Sequence, residues 1–264
     1  MHPFDAVVVS DLHLGAANSR SGEFLAFLSR LKTDQLILAG DIFDQQRLDG
    51  LRPDEVGVLR ALRRWAASCR VTWLVGNHDP SIDWFADMLG ITAHEEAVLD
   101  VGRRQYLVYH GHGWDRSLEW PALLVTASDW IYRAAQRVDR SHNLARRLKH
   151  GCKTFCRAVE QLRRQAVVTA GERNFDGVIL GHSHVAGDLH CEGVHYLNSG
   201  CWTELPAGFV GVRDGEVRAY HWLDGVPAPV VKAPATVAKR FELPQSPRLR
   251  LPLPAGLTYQ ESCG

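Results

Sequence analysis

The chain has 264 residues, and its 30 Lys plus Arg are matched by 30 Asp plus Glu, with a pI near 7.2. That length supplies one well-buried core without demanding a second domain. Balanced charge excludes a global signature of nucleic-acid binding or an acidic tail, and no apolar run approaches the roughly 18 residues of a membrane span.

The first strand-like run, Ala6-Val7-Val8-Val9, begins almost at Met1, so a signal peptide with its basic and apolar regions is not expected. The six cysteines form no CxxC pair, so reduced thiols in the cytosol are expected. From residue 5 to 110, β-branched runs alternate with helical patterns: VVVS, a helix near 22 to 31, LILAG, a helix near 53 to 67, VTWLVG, then short strands near 95 to 109. Such alternation predicts βαβ units and an α/β fold with a mostly parallel sheet.

From 118 to 165 the chain reads as two helices broken near 140 to 143, an inserted helical hairpin. Its second helix carries Leu144, Leu148, Cys152, Phe155, Val159, Leu162 and Ala166 on one apolar stripe, with bases on the other faces. Strand character returns at 177 to 181, 194 to 198, 208 to 212 and 217 to 222, the last two joined through Asp214-Gly215. The expected organisation is a domain over residues 1 to 225 with the hairpin inserted at about 117 to 168. A Pro-rich, extended or disordered tail over 226 to 264 follows.

Three motifs follow strand-like runs: SDLHLG (10 to 15), GDIFD (40 to 44) and GNHD (76 to 79). HGH (110 to 112) and GHSH (181 to 184) complete the set. Ligand sites in open α/β sheets gather at the carboxyl ends of strands, so these distant segments can converge. Each alone is ordinary turn chemistry; the coincidence of all five is informative. They offer the ligands of two metal ions: Asp11, His13 and His184 on one, Asn77, His110 and His182 on the other, and Asp41 between them. This oxygen and nitrogen set suits manganese, iron or zinc and has no thiolate to insist on zinc.

Two adjacent divalent ions acidify a bound water and neutralise phosphoryl oxygens during in-line attack, so hydrolysis of a phosphate ester or anhydride is the expected chemistry. His78, beside Asn77, is placed to protonate the leaving group or to stabilise charge on the phosphoryl group, and the Asp44 carboxylate is its expected orienting partner. His112, beside a ligand, stays unassigned.

Read in order, DLH, GDIFD, GNHD, HG and GHSH resemble the calcineurin-like metallophosphoesterase superfamily over residues 5 to 222. The resemblance implies a four-layer αββα sandwich of two mixed sheets flanked by helices. It puts the ligand roles on Asp11, His13, Asp41, Asn77, His110, His182 and His184, with manganese first among the metals and His78 and Asp44 as the catalytic pair. GDIFDQQ and GNHD, in place of GDxxDRG and GNHE, disfavour the protein Ser/Thr phosphatases.

The helical insertion and YLNSGCWTE look like the UDP-2,3-diacylglucosamine pyrophosphatase branch, although His78 and His112 stand where some of its members carry arginine and aspartate. That likeness implies release of UMP and 2,3-diacylglucosamine 1-phosphate in the cytoplasm, with the hairpin as a lid and peripheral contact with the inner membrane surface. Lys149, Lys153, Arg157 and Trp114 are the candidate contacts to the nucleotide-linked, acylated substrate, and nucleic acid is not expected as a partner. The alternatives are a soluble phosphodiesterase or nucleotide pyrophosphatase, a DNA exonuclease, and a metal-holding scaffold without turnover.

Overall fold

Strict alternation of side chains along the strands divides the interior into three apolar layers. A computed structural model describes residues 3–44, 50–79, 82–114 and 153–230. In its first sheet, β1 (Phe4–Val9), β2 (Thr33–Ala39), β3 (Arg70–Leu74) and β4 (Thr92–His94) run parallel. The chain then leaves for a second sheet, opening with the antiparallel pair β5 (Glu96–Val101) and β6 (Arg104–Tyr109). That sheet continues with β7 (Gly177–Leu180), β8 (Gly187–Cys191) and β9 (Val194–Asn198), in the order β5-β6-β7-β9-β8.

The chain returns to the first sheet as β10 (Ala207–Arg213), β11 (Glu216–Leu223) and β12 (Val226–Pro229), giving the order β12-β11-β10-β1-β2-β3-β4. Both sheets are mixed. Helices α1 (Ser21–Arg30), α2 (Pro53–Ala66) and α3 (Ile82–Leu89) connect the strands of the first sheet, and α4 (Lys153–Glu172) precedes β7.

Val7 and Val9 of β1 and Leu36 and Leu38 of β2 face the layer that also holds Phe24, Phe27, Val58 and Leu62 of α1 and α2. Their neighbours Ala6, Val8, Ile37 and Ala39 face the other way, into a layer shared with Tyr106, Val108, Ile179 and Leu197 of the second sheet. Leu107, Val178 and Leu180 point outward again, against Leu162, Ala166, Val167 and Ala170 of α4. Strands covered on both faces read as unbroken apolar runs, which is why VVVS and LILAG lack a polar phase.

The structure modifies several expectations. Leu162 and Ala166, expected in the inserted hairpin, belong to the core layer beneath the second sheet, so the C-terminal half of α4 is part of the sandwich, and the helix runs on to Glu172. Residues 115–152, with the first hairpin helix and Leu144, Leu148 and Cys152 of the stripe, lie outside the described residues. The expected tail begins as an edge strand, since Val226–Pro229 pairs antiparallel with β11; an edge tolerates proline because one side of the ladder is unpaired. Residues 231–264 lie outside the described residues. The Asp214-Gly215 hairpin forms as expected: Arg213 opposes Glu216, and both central residues have positive φ, 52° and 73°.

Phe27 is the hub of the helix-side layer, with ring centroids 5.0 to 5.2 Å from those of Trp202, Phe209 and Trp222. It is fully buried. Phe27→Ala is expected to cost about 3–5 kcal/mol of unfolding free energy, measured by urea denaturation. A loss below about 1 kcal/mol would show that the layer collapses around the cavity.

Candidate metal centre

Every motif sits where a strand ends. Asp11 follows β1, Asp41 follows β2, Asn77 follows β3, His110 follows β6 and His182 follows β7. These strands belong to both sheets, and backbone hydrogen bonds stitch their exits together. Asp11 N donates to Gly40 O at 3.0 Å, His13 N to Asp41 O at 3.0 Å, and Gly181 N to His110 O at 3.1 Å.

Three groups of donor atoms result among the described residues, two of them built around the buried aspartates. Asp11, His13 and His184 form one, and Asp41, His110 and His182 the other, with the ligand atoms of each within 4.8 Å of one another. In the first, Asp11 Oδ1 lies 3.1 Å from His184 Nε2 and 3.8 Å from His13 Nε2, and the two imidazole nitrogens are 3.3 Å apart. Asp41 Oδ2 lies 3.7 Å from His13 Nε2 and 3.2 Å from His110 Nε2. One oxygen of Asp41 therefore faces both clusters. Asn77 is exposed in the turn between Gly76 and His78.

The donor chemistry fits divalent cations. His110 Nδ1 donates to Ala39 O at 2.8 Å, which fixes the tautomer and leaves Nε2 as a lone-pair donor toward Asp41. Asp11 Oδ1 and His110 Nε2 are buried, and beyond the imidazole and carboxylate atoms of the two clusters they meet no hydrogen-bonding group. Such atoms are costly unless something occupies the space they face.

The backbone is strained at the same places. Asp11, His13, Asp41, His182 and His184 all have positive φ, between 47° and 63°, a region that non-glycine residues seldom adopt and that clusters at functional sites. A Cβ at Gly76 would overlap the Asp41 amide and carboxylate, so only glycine lets the third turn approach the second.

Asp79, closing GNHD, was given no role by sequence reasoning, yet it holds the two turns together. Its carboxylate accepts from the backbone N–H groups of Asp41 (2.9 Å), Ile42 (2.8 Å), Phe43 (3.0 Å) and Gly76 (2.9 Å), and from Trp73 Nε1 (3.2 Å). The available signal was an acidic residue directly after a ligand turn. Asp44 lies between two histidines: its carboxylate Oδ1 is 3.2 Å from His13 Nδ1, its main-chain carbonyl accepts from His78 Nδ1 at 3.1 Å, and His13, Asp44 and His78 form the third group, with donor atoms within 4.8 Å of one another. His78 is exposed, with its ring centroid 5.0 Å from that of His13. His112 is half-buried, its ring stacked on Tyr109 at 5.8 Å and tilted against His110 at 5.6 Å.

Among the candidate substrate contacts, Arg157 is exposed on the first turns of α4. Lys149 and the side chains of Trp114 and Lys153 lie outside what is described.

Electrostatics follow from this crowding. Burial opposes the charged form of Asp11, but His184 and His13 hold its carboxyl well below the usual range. Burial also opposes an imidazolium at His13, yet Asp11 and Asp44 raise it to about 9. His184 is raised to about 10, where Asp11 likewise outweighs burial. Asp41 falls to about 2 because His110 overcomes its desolvation.

Without a cation, the two raised histidines stabilise the fold fully below the ordinary imidazole value of 6.5, and that contribution is lost as pH rises through about 9 to 10. Chelator-stripped protein should therefore lose thermal stability between pH 7 and 10. Manganese-loaded protein should not, because the ion replaces the lost protons. Parallel melting curves across that range check this, and identical slopes would contradict the assignment.

The sequence pattern of the calcineurin-like phosphoesterase superfamily domain matches residues 5–212. No curated protein sequence matches the chain. Among solved structures, the chain is similar to Vps29 from Chaetomium thermophilum, at 13% identity over 86% of this chain and 95% of that one, with a TM-score of 0.48. It is also similar to YfcE, a phosphoesterase from E. coli, at 17% identity over 85% and 97%, with a TM-score of 0.46. An archaeal phosphodiesterase is similar at 14% identity over 82% and 98%, with a TM-score of 0.42.

Proposed function

Because the chain belongs to the calcineurin-like phosphoesterase superfamily, we propose that it is a dinuclear metal-dependent hydrolase of a phosphoanhydride. The observation that carries this reading is the pair of donor clusters addressed by one oxygen of Asp41, 3.7 Å from His13 Nε2 and 3.2 Å from His110 Nε2. In this reading Asp11, His13 and His184 hold one ion, Asn77, His110 and His182 the second, and Asp41 serves both. Manganese is the first choice for an oxygen and imidazole set without thiolate. When bound, the ions supply Lewis acidity toward the phosphoryl oxygens and an activated water.

The remaining work falls to the protein's own groups. The Asp44 carbonyl can only accept, so His78 Nδ1 carries the proton in their 3.1 Å contact, and Nε2 is left for the substrate. Protonated at Nε2, His78 can donate to the departing oxygen; neutral, it can take that proton back from water. Asp79 and Gly76 keep this imidazole in register with Asp41, whose Oδ1 accepts from His78 N at 2.9 Å.

We assign the substrate to nucleotide-linked diphosphates, with UDP-2,3-diacylglucosamine as the leading member and UMP and 2,3-diacylglucosamine 1-phosphate as products. Support comes from the extra chain between His112 and α4 and from the YLNSGCWTE segment after GHSH. An acylated substrate requires access to a membrane surface, which we place as peripheral contact. Among the described residues no helix is long and apolar enough to cross a membrane.

Asp41→Ala is expected to lose manganese binding and hydrolysis together. His78→Ala should retain both ions while slowing turnover by roughly a hundredfold or more. Calorimetric metal titration beside steady-state kinetics separates the two, and a fully active His78→Ala removes the acid from the mechanism.

The substrate is tested with the manganese-loaded protein against UDP-2,3-diacylglucosamine, unacylated UDP-sugars, dinucleotides and single-stranded DNA. The acylated nucleotide is expected to be cleaved at the highest kcat/KM. Preference for dinucleotides or DNA would move the enzyme to another branch, and no hydrolysis of any of them with both ions bound would indicate a scaffold.

A further inference from the structure

Ser10 precedes the first motif and Ser199 lies in the segment after β9, 189 residues away, yet their hydroxyl oxygens are 2.7 Å apart. Ser10, Ser199 and Asp11 are all fully buried. Ser10 Oγ also contacts Asp11 Oδ2 and lies 3.3 Å from Gly200 O, while Ser199 Oγ is 3.1 Å from Leu180 O.

Only two hydroxyl protons serve these contacts, and a carboxylate can only accept. The Ser10 proton goes to Asp11 Oδ2, since a hydrogen bond to a charged acceptor is about twice as strong as a neutral one. Ser10 Oγ is then left as an acceptor, and Ser199 supplies its proton. Leu180 O does not need that proton because it already accepts from Ser199 N at 2.9 Å.

We propose that Ser199 and Ser10 form a hydroxyl relay that positions Asp11, so that the carboxylate presents Oδ1 alone to a divalent cation. The proposal rests on the reading of Asp11 as a metal ligand. Oδ2 is fully engaged, since it receives both the Ser10 hydroxyl and His182 N–H at 3.0 Å. Oδ1 keeps its lone pairs and faces His184 and His13. Each hydroxyl polarises the next, so the carboxylate is held against rotation into a two-oxygen grip on the ion. Ser10 and Ser199 are positioning residues: neither faces the reacting atoms.

The test is a calorimetric titration of chelator-stripped protein with Mn²⁺, for the parent, Ser10→Ala, Ser10→Cys and Ser199→Ala, beside thermal melting of each stripped protein. In Ser10→Ala the Ser199 hydroxyl can turn to Leu180 O, so no donor is orphaned and the fold survives. Expected is a loss of about 10- to 100-fold in affinity at one of two sites, with the other site and the stripped melting temperature unchanged. Ser199→Ala should give a smaller loss at the same site, and Ser10→Cys, which keeps a weak donor, an intermediate one. Unchanged affinity at both sites, or equal weakening at both with a lower stripped melting temperature, overturns the relay. A parent protein that binds no Mn²⁺ overturns the metal-centre reading itself, and that outcome is seen before any variant is compared.

Discussion

The site depends on how two buried aspartates divide their oxygens. Asp41 gives Oδ1 to the His78 backbone N–H and turns Oδ2 toward His13 and His110. Asp11 gives Oδ2 to His182 N–H and the Ser10 hydroxyl and turns Oδ1 toward His184 and His13. In each case the donor anchoring one oxygen belongs to a loop that carries a candidate ligand. The geometry of each carboxylate and the placement of the next ligand loop are thus a single constraint. Burying two carboxylates within reach of each other is expensive, and the cost is offset only when hydrogen bonds fix one oxygen of each and positive charge meets the other.

That constraint explains the strain around it. Five candidate ligands hold positive φ, each at roughly 1–3 kcal/mol, and none is glycine. A short extended exit would carry these side chains away from the sheet edge, whereas a left-handed residue turns the chain sharply at the end of the strand. The turn is enforced from behind. Trp202 N donates to Asp11 O at 3.0 Å, Arg20 N to Trp202 O at 2.8 Å, and the Trp202 ring is buried between Phe24 and Phe27. The helix-side core thus reaches the metal centre through one backbone segment.

Much of this was legible in the sequence because the motifs are short and follow apolar runs. Asp11, His13, Asp41, His110, His182 and His184 stand out as polar groups at strand ends, and in the fold their donor atoms lie in two groups around Asp11 and Asp41. Asp44 is harder to read, because sequence places it near His78 but does not show that its carboxylate also lies 3.2 Å from His13 Nδ1. Asp79 hides inside a recognisable motif, its role being to accept N–H groups from a turn far away in sequence. Ser10 and Ser199 have no local signal, since their meaning exists only once β1 and the segment after β9 are brought together. β8 escaped notice because Asp188 and His190 give an edge strand the texture of a loop. In the fold Asp188 pairs with His195 at 3.0 Å, and that buried imidazole reaches Tyr106 Oη at 3.2 Å.

The topology also dictates what the fold requires between the fourth and fifth motifs. β6 and β7 pair in parallel, with Tyr106 opposite Gly177 and Val108 opposite Ile179, so the chain must cross over to begin the second strand at the same end. A crossover of a dozen or more residues suffices, and α4 provides it by covering the second sheet with Leu162, Ala166, Val167 and Ala170. Among the described residues, α4 is thus the element that closes the second sheet's outer face between the fourth and fifth motifs.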